Sequence, residues 1–259
     1  MGGEISIATK NLQNEILQKI AESTDGVINA LGRTTPVITV NDYDEGEISY
    51  KFLGEMPANH LITGDDLASE LGLTAGTGFN SDAGWLKYVR NGKTCYKAKR
   101  PFRYDLSWDD IYDVGAVGDK AEKPPDYEEE VEQDAEIEKD GQKYKVRLPY
   151  GGEGDTEDAK EDEFGSNEWN TVMYALVACI DDGHLGVKAG YWWGNYLNDE
   201  LGIGGDSNPD GRRTWCQETD PDDDSRRVHR GVSRVSYFLT SASSSSVSAG
   251  GWRPVLELL

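Results

Sequence analysis

The amino-acid sequence predicts an α+β fold of short hairpin strands, a few helices and long polar loops, and three observations carry the prediction. Short alternating runs such as Trp85-Leu86-Lys87-Tyr88-Val89-Arg90 recur between turn residues. Helical periodicity is confined to a few windows. The apolar fraction is 37%, below the roughly 45–50% usual for globular domains, while Gly (30), Tyr (13) and Trp (7) are plentiful. Such a composition suits loops held on an aromatic core. At 259 residues the chain accommodates one sizeable domain and a small one, or a single elaborated domain.

The first element is a helix over residues 5–31, where Leu12, Ile16 and Ile20 recur every fourth position beside Leu17, Val27 and Ile28. Two readings stand for it: an oligomerisation or anchoring helix, or a helix packed on its own domain. Thr34-Thr35-Pro36 ends it, and residues 37–40 and 48–53 read as strands around a polar turn. Residues 64–72 begin with acids and close on glycine, as a short helix does. Residues 85–98 form two strands joined by Asn91-Gly92, a dipeptide that accepts positive φ at both turn positions. Ser107 caps a short helix through Tyr112. Residues 124–140 read as an exposed acidic loop, residues 142–148 as a strand, and residues 151–165 as a second polar insertion. Residues 166–176 carry Trp169, Val172, Met173 and Leu176 at helical spacing. Residues 228–238 alternate as a strand, residues 241–248 are a serine-rich loop, and residues 251–258 read as one buried final strand.

With 48 acidic against 26 basic residues, the formal charge is −22. This opposes binding to nucleic acid and to anionic membrane surfaces. Adaptation to strong brine and an ordinary protein with acidic insertions both account for the acidity. No run approaches the roughly 18 apolar residues of a membrane span, and Met1-Gly2-Gly3-Glu4 lacks the features of a signal peptide. Cys95, Cys179 and Cys216 are odd in number and widely spaced, so neither a disulfide framework nor a zinc site is signalled. His60, His184 and His229 lie far apart with no nucleophile motif, and each reads as a surface or loop histidine.

Several stretches together resemble a family of tailed-virus and prophage proteins that carry a C-type-lectin-like domain, related in fold to formylglycine-generating enzymes. They include Phe52-Leu53-Gly54-Glu55-Met56-Pro57, Trp85-Leu86-Lys87-Tyr88, Tyr96-Lys97-Ala98-Lys99-Arg100-Pro101, Ser166-Asn167-Glu168-Trp169-Asn170, Trp215-Cys216-Gln217-Glu218-Thr219, Arg230-Gly231-Val232-Ser233 and the ending Gly251-Trp252-Arg253-Pro254-Val255-Leu256-Glu257-Leu258. The resemblance spans roughly residues 47–259 and leaves residues 1–46 as a separate anchor or oligomerisation segment. It implies a C-type-lectin-like fold of small twisted antiparallel sheets with two main helices and long loops, enlarged by acidic insertions near 122–140 and 151–165. Trp252, Arg253 and Pro254 are expected to be structural: a buried face, a planar donor fork and a rigid exit.

The implied function is that of a non-enzymatic virion surface protein, assembled in the host cytoplasm, that attaches to a host surface glycan or protein from a fibre, baseplate or capsid spike. It would dock on other virion proteins through its N-terminal segment and form a homo-oligomer, with no nucleic acid and no membrane insertion. The alternatives are an architectural vertex or decoration protein and, below them, a polysaccharide-degrading enzyme. The three cysteines match no copper-binding pair of the enzymatic relatives. The candidate binding residues sit in polar segments before the final strand: Arg212, Arg213, Arg226, Arg227, His229, Ser243, Ser244 and Ser245. Asp206, Asn208 and Asp210, followed by Gly211, resemble the first half of a calcium loop. Its twelfth position is Gln217, however, and Glu218 comes one residue late. No other cofactor is implied.

Overall fold

The structure, a computed structural model, describes residues 50–152, 168–177, 196–203, 212–231, 235 and 238–259. All lie in the second of two units into which the chain divides, Asp42–Leu259. The expected helix over 5–31, the strand over 37–40 and most of the insertion over 151–165 fall outside the described residues.

The α+β class holds, with strands dominating and helices short. The strands in chain order are β1 (Tyr50–Met56), β2 (Thr77–Gly78), β3 (Trp85–Arg90), β4 (Lys93–Ala98), β5 (Arg103–Leu106), β6 (Glu136–Lys139), β7 (Gln142–Arg147), β8 (Arg213–Asp220), β9 (Asp223–Arg230), β10 (Phe238–Ala242), β11 (Val247–Trp252) and β12 (Val255–Leu258). They form two six-stranded sheets, ordered β1-β3-β4-β12-β7-β6 and β10-β9-β8-β11-β5-β2. Of the strand pairs, β8 with β11 runs parallel and the others antiparallel.

Local chemistry explains the hairpins and helices. Asn91 and Gly92 take φ of 50° and 78° between β3 and β4, and Asp140 and Gly141 take 52° and 76° between β6 and β7. These left-handed pairs match the twist of the flanking strands. Helix α1 (Gly64–Leu71) is capped by Thr63, whose hydroxyl accepts from the Asp66 amide at 3.2 Å, and ends at Gly72 with φ 73°. Helix α2 (Trp108–Tyr112) begins in a reciprocal box: the Ser107 amide donates to Asp110 at 2.7 Å, and the Asp110 amide to the Ser107 hydroxyl at 3.1 Å.

Trp85, Trp108, Trp169, Trp215 and Trp252 are fully buried. Four of the indoles find backbone carbonyls: Trp85 that of Ile62 (2.9 Å), Trp108 that of Cys216 (2.9 Å), Trp169 that of Val235 (2.7 Å) and Trp215 that of Leu106 (3.1 Å). Each buries an aromatic face while its N–H stitches distant segments together.

Five expectations are corrected. The single final strand is two: β11 ends at Trp252 in one sheet, Arg253-Pro254 breaks the run, and β12 enters the centre of the other sheet between β4 and β7. The 124–140 segment is not a plain exposed loop. Its side chains Tyr127, Val131 and Ala135 pack on the core, and Gln133 accepts from the Val117 amide and donates to the Tyr112 carbonyl, both at 3.0 Å. It ends in β6. The strand expected over 228–238 is divided between β9, which ends at Arg230, and β10, which starts at Phe238. The serine-rich segment is a short turn at 243–246, with its flanks in β10 and β11. The helix expected over 166–176 runs as helix at Glu168 and Trp169 and then widens into a π turn, Asn170–Tyr174, with Trp169, Val172, Met173 and Leu176 buried as their spacing requires.

Candidate functional site

The expected binding residues occupy separate places, and several are inside the protein. Arg212 and Arg213 stand at the start of β8, where the Arg212 guanidinium meets Asp199 at 3.2 Å and the Ile203 carbonyl at 3.4 Å. Arg227 and His229 lie within β9, not in a loop, and both are buried. Their alternation puts Arg227 over the Trp108 ring at 4.4 Å and His229 against Trp215 at 3.5 Å between ring centroids. Burial, followed by the nearby charges of Arg213 and Arg226, holds the His229 imidazole well below its ordinary pKa. Both its ring nitrogens lack a hydrogen-bond partner among the described residues. It is therefore a neutral core group rather than a surface histidine.

Arg226 is partly exposed and donates to the Thr240 hydroxyl at 3.0 Å, with Asp220 at 3.8 Å. Ser243 is buried: its carbonyl accepts from the Trp108 and Asp109 amides at 3.0 and 3.2 Å, and its amide donates to Ser225 at 2.9 Å. Ser244 is exposed and Ser245 partly so. Of the expected set, Arg226, Ser244 and Ser245 thus remain at the surface near one end of β9, while Arg227, His229 and Ser243 hold the scaffold.

Asp206, Asn208 and Asp210 fall outside the described residues. The residues that would have closed a calcium loop are engaged elsewhere. Glu218 accepts the Gly151 and Gly152 amides at 2.8 and 3.2 Å. Gln217 donates to the Leu148 carbonyl at 2.7 Å and accepts the Lys120 amide at 3.2 Å. Among the described residues no cluster of three metal-ligating side chains occurs.

The concave feature beside the surface part of the expected set is a cleft of about 780 Å3 between residues 119–122 and the β8–β9 turn. Asp119 and Glu122 contribute one wall and Asp220, Asp222, Asp223 and Asp224 the other, with Lys120 as the basic residue of the lining. Three cross-links preform it. Arg227 donates to the Glu122 carbonyl at 3.0 Å, Gln217 holds the Lys120 amide, and the Tyr150 hydroxyl donates to Asp119 at 2.6 Å. The turn is braced from within: Asp220 accepts from the Asp222 amide at 3.1 Å, and Asp223 accepts the Ser225 amide and hydroxyl at 3.0 and 2.6 Å. Burial raises the Asp119 carboxyl, but the Tyr150 hydroxyl, backbone contact and nearby Lys145 and Arg147 outweigh it and hold the group below its usual range. Ser225 does the same for Asp223. A concavity lined by carboxylates and cross-linked in this way accepts hydrogen bonds and disfavours anions, so it fits a ligand rich in hydroxyl or ammonium donors.

Behind it lies a buried charge cluster. Arg147 makes a two-pronged pair with Glu168 at 2.8 and 2.9 Å, and Glu168 also accepts from the Tyr150 amide at 3.0 Å and from the Tyr88 hydroxyl. Although burial pushes the Glu168 carboxyl up, Arg147 and then Lys97 hold it far below the usual carboxylate range. Lys97 is fully buried and its Nζ has no hydrogen-bond partner among the described residues. It lies 5.4 Å from the Trp169 ring and 5.9 Å from that of Tyr88. Arg253 forks onto the Lys99 and Leu201 carbonyls, both at 2.6 Å, and the Thr214 hydroxyl at 3.1 Å. It thereby ties both sheets to the turn at Asn198–Leu201. Apart from the Lys97 ammonium, the charged groups of this buried cluster are hydrogen-bonded, and they fix the scaffold on which the cleft sits.

Nothing local in the sequence joins Asp119 and Glu122 to the 220–224 turn; only the long-range contacts of Arg227, Gln217 and Tyr150 bring that wall into place. Cys95 and Cys216 are buried free thiols in different sheets, and burial pushes both up, Cys95 to about 12. Among the described residues no helix is long and apolar enough to cross a membrane. No family model, curated protein or solved structure matches the chain.

Proposed function

We propose that this chain is a virion surface protein displaying a C-type-lectin-like domain for attachment to a host surface glycan or protein. The observation that carries the reading is the preformed polar cleft: exposed turns rich in hydrogen-bond acceptors stand on a scaffold locked by buried tryptophans and arginines. Recognition surfaces are commonly built as loops on such rigid frames. The placement of Trp252, Arg253 and Pro254 at the crossing between sheets supports the structural role that the family resemblance implies for them. In this reading residues 1–46 anchor the protein to other virion proteins.

The test is adsorption of the labelled full chain to isolated host envelopes, with a variant in which Asp222, Asp223 and Asp224 are replaced by Ser. Saturable adsorption that the variant loses supports attachment through the cleft. Equal adsorption by both proteins removes the cleft from the binding surface, and an absence of saturable adsorption counts against attachment itself.

A further inference from the structure

We propose that the edge of the second sheet formed by β2, β5 and the start of β11 binds a neutral, hexose-bearing glycan; this deepens the attachment reading and rests on it. Phe79 is among the few large apolar side chains left exposed, at 38%. It stands edge-to-face with Tyr104, at 5.8 Å between centroids and 84° between planes. The Tyr104 hydroxyl and the Asp105 carboxylate make no hydrogen bond among the described residues. Beside the ring pair, β2 is only two residues long and ends its sheet, so no described strand covers its outer side.

The backbone at Asp105 is the second observation. Its φ of 59° lies in the left-handed region that residues other than glycine avoid, here in the middle of a strand. Across the ladder Leu106 pairs with Val247 and Tyr104 with Gly251, so Ser248, Ala249 and Gly250 bulge opposite Asp105 alone. Ser248, at the end of the serine run, and Asp105 are both exposed and lie in these facing stretches of β11 and β5. Strain of this kind persists where the surroundings over-determine it, often at binding sites.

The chemistry selects the ligand class. Aromatic rings pack against the apolar C–H face of a pyranose, while carboxylate and hydroxyl groups take its hydroxyls. Arg103, the cation of this edge, is already committed to the Ala75 and Gly76 carbonyls at 2.8 and 3.1 Å. With a formal charge of −22 on the chain, uronate or other acidic glycans are repelled.

The experiment is native electrophoresis of the full chain through gels containing mannan, dextran or galactan, with polygalacturonate as the acidic comparison. At least one neutral polymer is expected to retard the wild type, and polygalacturonate not to. Phe79→Ala and Asp105→Gly should each weaken retardation by about tenfold. Glycine relieves the backbone at 105, so Asp105→Gly should melt no lower than wild type, which separates lost binding from lost folding. Unchanged retardation of both variants, retardation by no neutral polymer, or equal retardation by polygalacturonate would each overturn the assignment. If envelope adsorption survives such a result, only this edge is wrong; if adsorption is also absent, the attachment reading falls with it.

Discussion

Replacing Lys97 by Met should stabilise the protein, and the structure sets the size of the effect. Lys97 is fully buried between the Tyr88 and Trp169 rings with no hydrogen-bond partner for its ammonium among the described residues. Burial lowers its pKa from 10.5 to about 8, with the attraction of Glu168 only partly compensating. A folded pKa below the unfolded one means that the unfolded chain binds more protons between those values, so stability rises with pH across that window. Below pH 8 nearly the full penalty applies: the fall from 10.5 to about 8, at about 1.4 kcal/mol per pH unit, is on the order of 3–4 kcal/mol. Methionine keeps the apolar stem and removes the charge, while Glu168 retains Arg147, Tyr88 and the Tyr150 amide. Urea unfolding should therefore place Lys97→Met up to about 3 kcal/mol above wild type at pH 7, narrowing to about 1 kcal/mol by pH 10 as the wild-type lysine loses its penalty. A variant less stable than wild type at pH 7, or a difference that does not narrow with pH, would refute the reasoning.

Two further outcomes are expected of the same scaffold. Glu168→Gln leaves the Arg147 guanidinium buried without its counter-charge and should cost about 3–5 kcal/mol by denaturant unfolding. Because the folded Glu168 pKa is depressed, its contribution is full above the ordinary value of 4.5 and is lost as pH falls toward the folded value, so the gap between variant and wild type should close in acid. Gly151→Ala puts a methyl group 2.6 Å from the Cys216 sulfur and 2.7 Å from its Cβ, and a loss of about 1–3 kcal/mol is expected from calorimetric melting.

What could be read in the sequence follows the range of the interactions involved. The β3–β4 turn and both short helices were visible because their causes are local: Asn91-Gly92 at positive φ, the acidic first turn and closing Gly72 of the first helix, whose cap proves to be Thr63, and Ser107 capping the second. Trp252 and Arg253, expected to be structural, are buried, yet the partners of such groups lie far along the chain, as with Arg253 and Leu201, and the same is true of Trp108 and Cys216. For the same reason Arg227 and His229 read as polar loop residues when their partners Trp108 and Trp215 were unseen. Alternation made 251–258 one strand, since nothing in an apolar run states which sheet each half joins; Arg253-Pro254 was the only local sign of the break.

The central claim concerns attachment through surfaces carried on this rigid frame, and adsorption to isolated host envelopes tests it most directly. The labelled full chain is predicted to adsorb saturably, and the Asp222→Ser, Asp223→Ser, Asp224→Ser variant, compared at a temperature where both proteins are folded, to lose about tenfold or more in affinity. A wild-type chain that shows no saturable adsorption would contradict the account.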